Sequence, residues 1–292
     1  MQHALFYKYV TLNNLEELRE SVHESMRDHD VKGTILLSME GINGVFTAEE
    51  DNFKAFINWL CQYPEFSDIE WKITPVKEHQ FKRIKCKIRD EIVSLRVPGV
   101  KLEDKAPYVE PEEFKEWLDN EEDIVIIDAR NDYESKVGKF VGAKTPQIKS
   151  FRQWPQAVEE LKELKDKKIV TYCTGGIRCE KASAYMKEQG FENVYQLHGG
   201  IVKYGQVCGD EHWEGKCFVF DERLIADIDP KKASEDISTC EFSGKPCSTY
   251  HNCAVLSCDR LFIATRDAVA QHQGKCPDCA KKSEQEQISV SA

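Results

Sequence analysis

Lys168–Ala182 reads KIVTYCTGGIRCEKA, and this stretch decides the fold. Ile169-Val170-Thr171-Tyr172 is a run of β-branched and aromatic residues, the composition of a strand buried on both faces. It enters a short loop, Cys173-Thr174-Gly175-Gly176-Ile177-Arg178, and Cys179–Gln189 leaves as a helix closed by Gly190. The flanking sequence repeats the pattern. Asp123–Asp128 (DIVIID) is a second buried strand ending in Asp128-Ala129-Arg130, and Asn193–Leu197 is a third. Pro111–Asn120 and Trp154–Leu164 carry helical spacing. Strands alternating with helices predict a parallel sheet, with ligand sites beyond the carboxyl ends of its strands. Cys173 stands at such an end.

Three features around Cys173 favour a thiolate. Paired glycines let the backbone curl so that N–H groups converge on the sulfur. The following helix turns its positive N-terminus to the same point, and Arg178 adds a full charge. The alternative is a small apolar residue finishing a strand, and the coincidence of loop, glycines, arginine and helix start weighs against it. Cys179 either packs beneath the loop or reaches its mouth, where it would resolve an oxidised or persulfidated Cys173.

Residues 1–76 read differently. ALFYKYVTL is a strand, Asn14–Asp30 a helix, Lys32–Met39 a strand, Gly41–Gly44 a turn into Val45–Ala48, Glu49–Tyr63 a helix stopped by Pro64, and Ile69–Val76 a strand. This β-α-β-β-α-β order predicts a ferredoxin-like sandwich. Residues 72–105 then hold ten Lys or Arg against five Asp or Glu. Within them Lys82, Arg83, Lys85, Lys87 and Arg89 form a basic stripe. It reads either as the charge that protects an edge strand or as a stripe contacting RNA phosphates.

Composition sets outer bounds. With 41% hydrophobic and 31% charged residues the 292-residue chain is globular, and its net charge of −11 excludes coating nucleic acid through overall charge. No run approaches the length of a membrane span, and MQHALFYKYVTLNNLEE has no signal-peptide features, so a cytoplasmic protein without membrane contact is expected. Twelve cysteines in that compartment are reactive, metal-binding or buried rather than disulfide-bonded. Ten of them lie between Cys173 and Cys279. Beyond residue 207, Cys253, Cys258 and the knuckle Cys276-Pro277-Asp278-Cys279 are candidate ligands of a tetrahedral zinc, with His251, Cys240 or Cys247 as substitutes. KKSEQEQISVSA (281–292) reads as a disordered tail.

Residues 109–207 resemble the rhodanese-like domains, through Ile127–Arg130, Tyr133-Glu134, the Gly138–Ala143 turn, the Cys173 loop and Leu197-His198-Gly199-Gly200-Ile201. Four residues separate Cys173 from Arg178, the sulfur-handling loop size rather than the longer oxyanion-binding loop of phosphatase relatives. The chain as a whole, through Gly33–Gly44, Cys173–Lys181 and Trp213–Asp221, is similar to the bacterial tRNA uridine hydroxylase family. That resemblance implies an α/β multidomain protein: a ferredoxin-like domain (1–96), a linker (97–108), a rhodanese-like catalytic domain (109–207) and a cysteine-rich region (208–280) before the tail. It implies oxygen-dependent hydroxylation of the tRNA wobble uridine at C5, giving 5-hydroxyuridine. Cys173 is then required, molecular oxygen is the co-substrate with a reductant the sequence does not name, and the partner is the tRNA anticodon loop. Trp213, Phe218 and Tyr204 are candidates to stack on the base. Many relatives carry a further cysteine pair where this chain has Ala264–Ala268, which removes ligands from any second metal site. The competing readings are a general sulfurtransferase using a Cys173 persulfide and an RNA-binding scaffold.

Overall fold

A computed structural model describes residues 1–229 and 231–290. They form two units, Met1–Asp132 with Ala143–Gly209, and Tyr133–Gly142 with Asp210 onward.

The first unit opens on β1 (Gln2–Tyr9), α1 (Leu15–Asp28), β2 (Lys32–Ser38), β3 (Gly41–Ala48), α2 (Glu50–Leu60), β4 (Lys72–Pro75) and β5 (Ile84–Ile88). The sheet order is β4-β1-β3-β2-β5, antiparallel except for the β2–β5 pair. Period-two alternation divides its faces. Ala4, Phe6, Ile35, Phe46 and Cys86 pack with Leu18, Val22 and Met26 of α1 and Phe53, Phe56 and Leu60 of α2. Each buried phenylalanine contributes about 2–3 kcal/mol to this core.

One expectation changes here. Gly41–Gly44 is not a turn; the chain reverses at Met39-Glu40, and these glycines lie within β3. Their role is close approach, since a Cβ on Gly44 would collide with the Phe6 ring and one on Gly41 with the backbone of Lys8. The basic stripe supplies a fifth strand, with Lys85 and Lys87 exposed and Cys86 buried between them.

A second sheet follows in the same unit. Its strands are β6 (Tyr108–Val109), β7 (Ile124–Asp128), β9 (Lys168–Tyr172) and β10 (Val194–Leu197), in the order β6-β10-β9-β7 and all parallel. Ile169–Tyr172 are all buried, so neither face of β9 meets solvent. The helices are α3 (Pro111–Asp119), α5 (Trp154–Glu160), α6 (Ile177–Glu188) and α7 (Gly200–Cys208). The helix expected over Trp154–Leu164 stops at Glu160 and ends in a 3-10 turn, Lys162–Leu164. At the end of β7, Asp128 and Arg130 form a fully buried ion pair at 2.7 Å, and the Tyr172 hydroxyl donates to Asp128 at 2.7 Å. They brace the strand end.

In the second unit, α4 (Asp132–Ser135) leads to β8 (Gly138–Phe140), which pairs with β11 (Trp213–Gly215). The Gly138–Ala143 turn therefore belongs largely with the C-terminal region, where Phe140 meets Trp213 edge-on at 5.2 Å. The short hairpins β12 (Cys217–Phe218) with β13 (Ile225–Ala226) and β14 (Tyr250–Asn252) with β15 (Leu261–Ile263) follow. Helices α8 (Arg266–Gln271) and α9 (Pro277–Val290) close the unit around Phe218, Tyr250 and Phe262. The expected disordered tail is helical as far as residue 290; 291 and 292 lie outside the described residues. Trp213, Phe218 and Tyr204, proposed as base-stacking groups, are buried core residues. Among the described residues no helix is long and apolar enough to cross a membrane.

Candidate active site

Cys173 follows the carboxyl end of β9 and is fully buried. Gly176, at φ 97°, takes the left-handed turn that aims its N–H at Cys173 Sγ, 3.2 Å away. Burial by itself raises the thiol. The Cys179 thiol hydrogen bond, the Arg178 charge and the N–H groups of Arg178 and Gly176 outweigh it and pull Cys173 down to about 5. The same contact fixes Cys179 as donor, since burial and the adjacent Cys173 sulfur push its thiol well up. Cys179 is thus a buried free thiol beneath the loop, hydrogen-bonded to the equally free Cys173 sulfur. Arg178 is buried, with its guanidinium 3.4 Å from the Thr174 hydroxyl, while Ile177 is half-buried.

The closing glycine motif holds the loop from behind. Ile201 N–H donates to Cys173 O and Val202 N–H to Thr174 O, both at 3.0 Å. A side chain on Gly200 would strike the Cys173 carbonyl, so the sequence there admits only glycine.

Strand β1 covers the front of the loop, which the sequence reading missed. A Cβ on Gly175 would lie 2.7 Å from Leu5 Cδ2, and one on Gly176 3.1 Å from the Tyr7 hydroxyl. The Tyr9 hydroxyl donates to Ile177 O at 3.3 Å. Alternate residues of β1 thus track successive residues of the loop. Glu180 locks the arrangement: buried on α6, it accepts from Tyr7 at 2.8 Å and Tyr108 at 2.5 Å, and pairs with Lys105 at 2.7 Å. The available signal was ALFYKYV itself, which is apolar or aromatic on both faces and so belongs to a strand covered on both.

Strand register ties the basic stripe to this face. Lys72 pairs with Leu5, Leu5 with Val45, Val45 with Thr34, and Thr34 with Lys85, one row across all five strands. The next row joins Tyr7, Asn43, Leu36 and Lys87. Lys85 and Lys87 therefore leave the sheet on the side that meets the cysteine loop, about 14 Å along it from β1. Lys82, Arg83 and Arg89 are exposed beside them.

In the second unit the sulfurs of Cys253, Cys258, Cys276 and Cys279 all lie within 4.8 Å of one another. Cys258 and Cys276 are 3.8 Å apart, the edge of a tetrahedron whose metal–sulfur bonds are about 2.3 Å. Cys276 N–H also donates to Cys253 Sγ at 3.3 Å. The donor set and spacing fit zinc. The substitutes are engaged elsewhere: His251 Nε2 pairs with Ala264 O at 3.0 Å, and Cys240 Sγ accepts from Thr265 N–H at 3.4 Å.

Residues 1–92 match the family described as UPF0176 acylphosphatase like domain, 110–206 the rhodanese-like domain, and 214–280 the family described as Rhodanase C-terminal. A tRNA uridine(34) hydroxylase of Bacillus licheniformis is 42% identical over 274 residues, covering 90% of this chain and 83% of that protein. A Bacillus mycoides protein of the same name is 41% identical over 278 residues, covering 93% and 86%. One from Staphylococcus aureus is 40% identical over 290 residues, covering 96% and 89%.

Proposed function

The chain belongs to the tRNA uridine(34) hydroxylase family, and on that premise we propose that it converts the wobble uridine of tRNA to 5-hydroxyuridine with Cys173 as the reacting group. The observation that carries this reading is a buried cysteine stabilised as an anion in a loop roofed by the N-terminal sheet. A plain sulfurtransferase needs no such roof. Sγ adds to C6 of the pyrimidine, and the displaced electron pair makes C5 nucleophilic. Dioxygen then supplies one oxygen atom to C5. The other leaves as water, with two electrons and two protons from a reductant, and loss of the C5 proton with departure of the sulfur restores the ring. Because Sγ is fully covered, the Leu5 side chain must swing aside to admit a flipped-out anticodon base.

Lys82, Arg83, Lys85, Lys87 and Arg89 serve in this reading as the phosphate-contacting stripe, on the side from which the base enters. Reversing Lys85, Lys87 and Arg89 to glutamate is expected to raise the KM for tRNA about tenfold or more while kcat holds. The log–log salt dependence of binding should flatten by about two to three. An unchanged salt slope would remove the stripe from the RNA path. Cys253, Cys258, Cys276 and Cys279 hold one structural zinc, which orders the second unit and takes no part in the chemistry.

Nucleoside analysis of tRNA from a deletion strain separates the readings. Loss of 5-hydroxyuridine and its derivatives supports the cytoplasmic tRNA hydroxylase. Unchanged nucleosides with loss of thiosulfate:cyanide activity would replace it with the sulfurtransferase.

A further inference from the structure

Two lysines of the first unit are buried, and they differ in one respect. Lys181 is saturated: its ammonium donates to Glu40 at 2.9 Å, Glu91 at 2.7 Å and the Val93 carbonyl at 3.2 Å. Lys72 is 3% exposed, and among the described residues no acceptor lies within hydrogen-bond reach of its ammonium. The nearest carboxylate, Glu70, stands 3.9 Å away, and the Tyr7 ring centroid 5.1 Å. Burying the stem of a lysine while its ammonium has only this long ion pair is costly, and a methionine would fill the same space more cheaply.

The position of Lys72 suggests what the amine is kept for. It is the cross-strand partner of Leu5, so both side chains leave the sheet on one face, and Leu5 lies against Gly175 of the cysteine loop. Burial lowers Lys72, while Glu70, Cys173 and Glu180 favour its charged form and Lys203 opposes it. The ammonium and the Cys173 sulfur are thus within each other's field.

Building on the role of Cys173 in hydroxylation, we propose that Lys72 is a catalytic residue supplied to the rhodanese loop by the N-terminal sheet, its ammonium holding the negative charge as it passes from Cys173 Sγ to the carbonyl oxygen of the attacked pyrimidine. When sulfur bonds to C6, the C5–C6 π pair shifts to C5 and the C4 carbonyl becomes an enolate. That oxygen needs a donor with a free proton. Arg178 and Cys179 already serve the sulfur, and Tyr7 already donates to Glu180, whereas Lys72 has only its 3.9 Å ion pair with Glu70 and makes no hydrogen bond among the described residues.

The test compares Lys72→Met and Lys72→Arg in the full chain. The first readout is the titration of thiolate absorbance, each protein minus its own Cys173→Ser variant. The groups facing Cys173 in that titration are Arg178, Cys179, Tyr7, Tyr9, Glu180 and Lys72. Lys72→Met removes one cation, so the midpoint should move up by about one pH unit. Lys72→Arg should restore it. The second readout is hydroxylation, where Lys72→Met should lower kcat by about 100-fold with KM for tRNA within about twofold. A Lys72→Met protein whose sulfur titrates as wild type overturns the proposal even if its activity falls, because a folding defect alone would do that. A Cys173→Ser protein that still hydroxylates overturns the underlying reading instead. The titration is measured without tRNA, so the two failures are distinguishable.

Discussion

Replacing Cys173 by serine is expected to lower 5-hydroxyuridine formation by about 1,000-fold or more and to leave tRNA binding within about twofold. The substitution keeps the shape of the loop, because an Oγ can accept the Gly176 N–H in place of sulfur. It removes the property that the loop, Arg178 and Cys179 together produce, an anion at neutral pH. A serine hydroxyl stays protonated there. The sign of the pH dependence follows from the lowered value. A sulfur that titrates at about 5 is charged above that pH, so the thiolate-dependent step should be flat between pH 6 and 8. It should fall roughly tenfold for each pH unit below 5. The measurement is mass-spectrometric nucleoside analysis of unmodified tRNA incubated with each protein and a reductant. A serine variant within tenfold of wild type would take the reacting group away from Cys173.

The second large effect concerns the other unit. The purified protein is expected to carry one zinc per chain, and Cys276→Ala to lose it. Cys276 is fully buried within the four-sulfur cluster, 3.8 Å from Cys258, and its N–H supports Cys253. The surrounding core is small, and its three two-stranded sheets have strands of only two or three residues. Such a unit is expected to depend on the proposed zinc, since a structural zinc contributes about 10 kcal/mol or more in comparable small sites. Chelation or the Cys276→Ala change should abolish the thermal transition of the second unit, seen by near-UV circular dichroism, while the Cys173 titration persists. Wild-type protein with no zinc by elemental analysis and an unchanged transition after chelation would exclude the site.

The parts of this molecule that were legible in advance are those whose physics is local. A strand entering a glycine-rich loop and leaving as a helix places Cys173, Gly176 and Arg178 together without help from elsewhere in the chain. The four zinc candidates were legible for a related reason, since Cys276-Pro277-Asp278-Cys279 holds two sulfurs on one turn. The glycines of β3 misled because glycine marks both turns and close approaches, and only the partner strand distinguishes them. The grouping of Tyr133–Gly142 with the C-terminal region was not legible, because a strand carries no signal of which sheet it joins.

The amino-acid order by itself determined the two α/β cores and the cysteine loop and narrowed the metal-ligand candidates, whose four-thiol grouping the structure then selected. Only the tertiary structure decided that Leu5 and Tyr7, more than 160 residues away, lie against the Cys173 loop, with Lys72 beside them on the same sheet face. Strand register sets that meeting, because pairing Lys72 with Leu5 and Leu5 with Val45 sends one face of the N-terminal sheet onto the loop. Register is a relation between distant segments, and no single segment contains it.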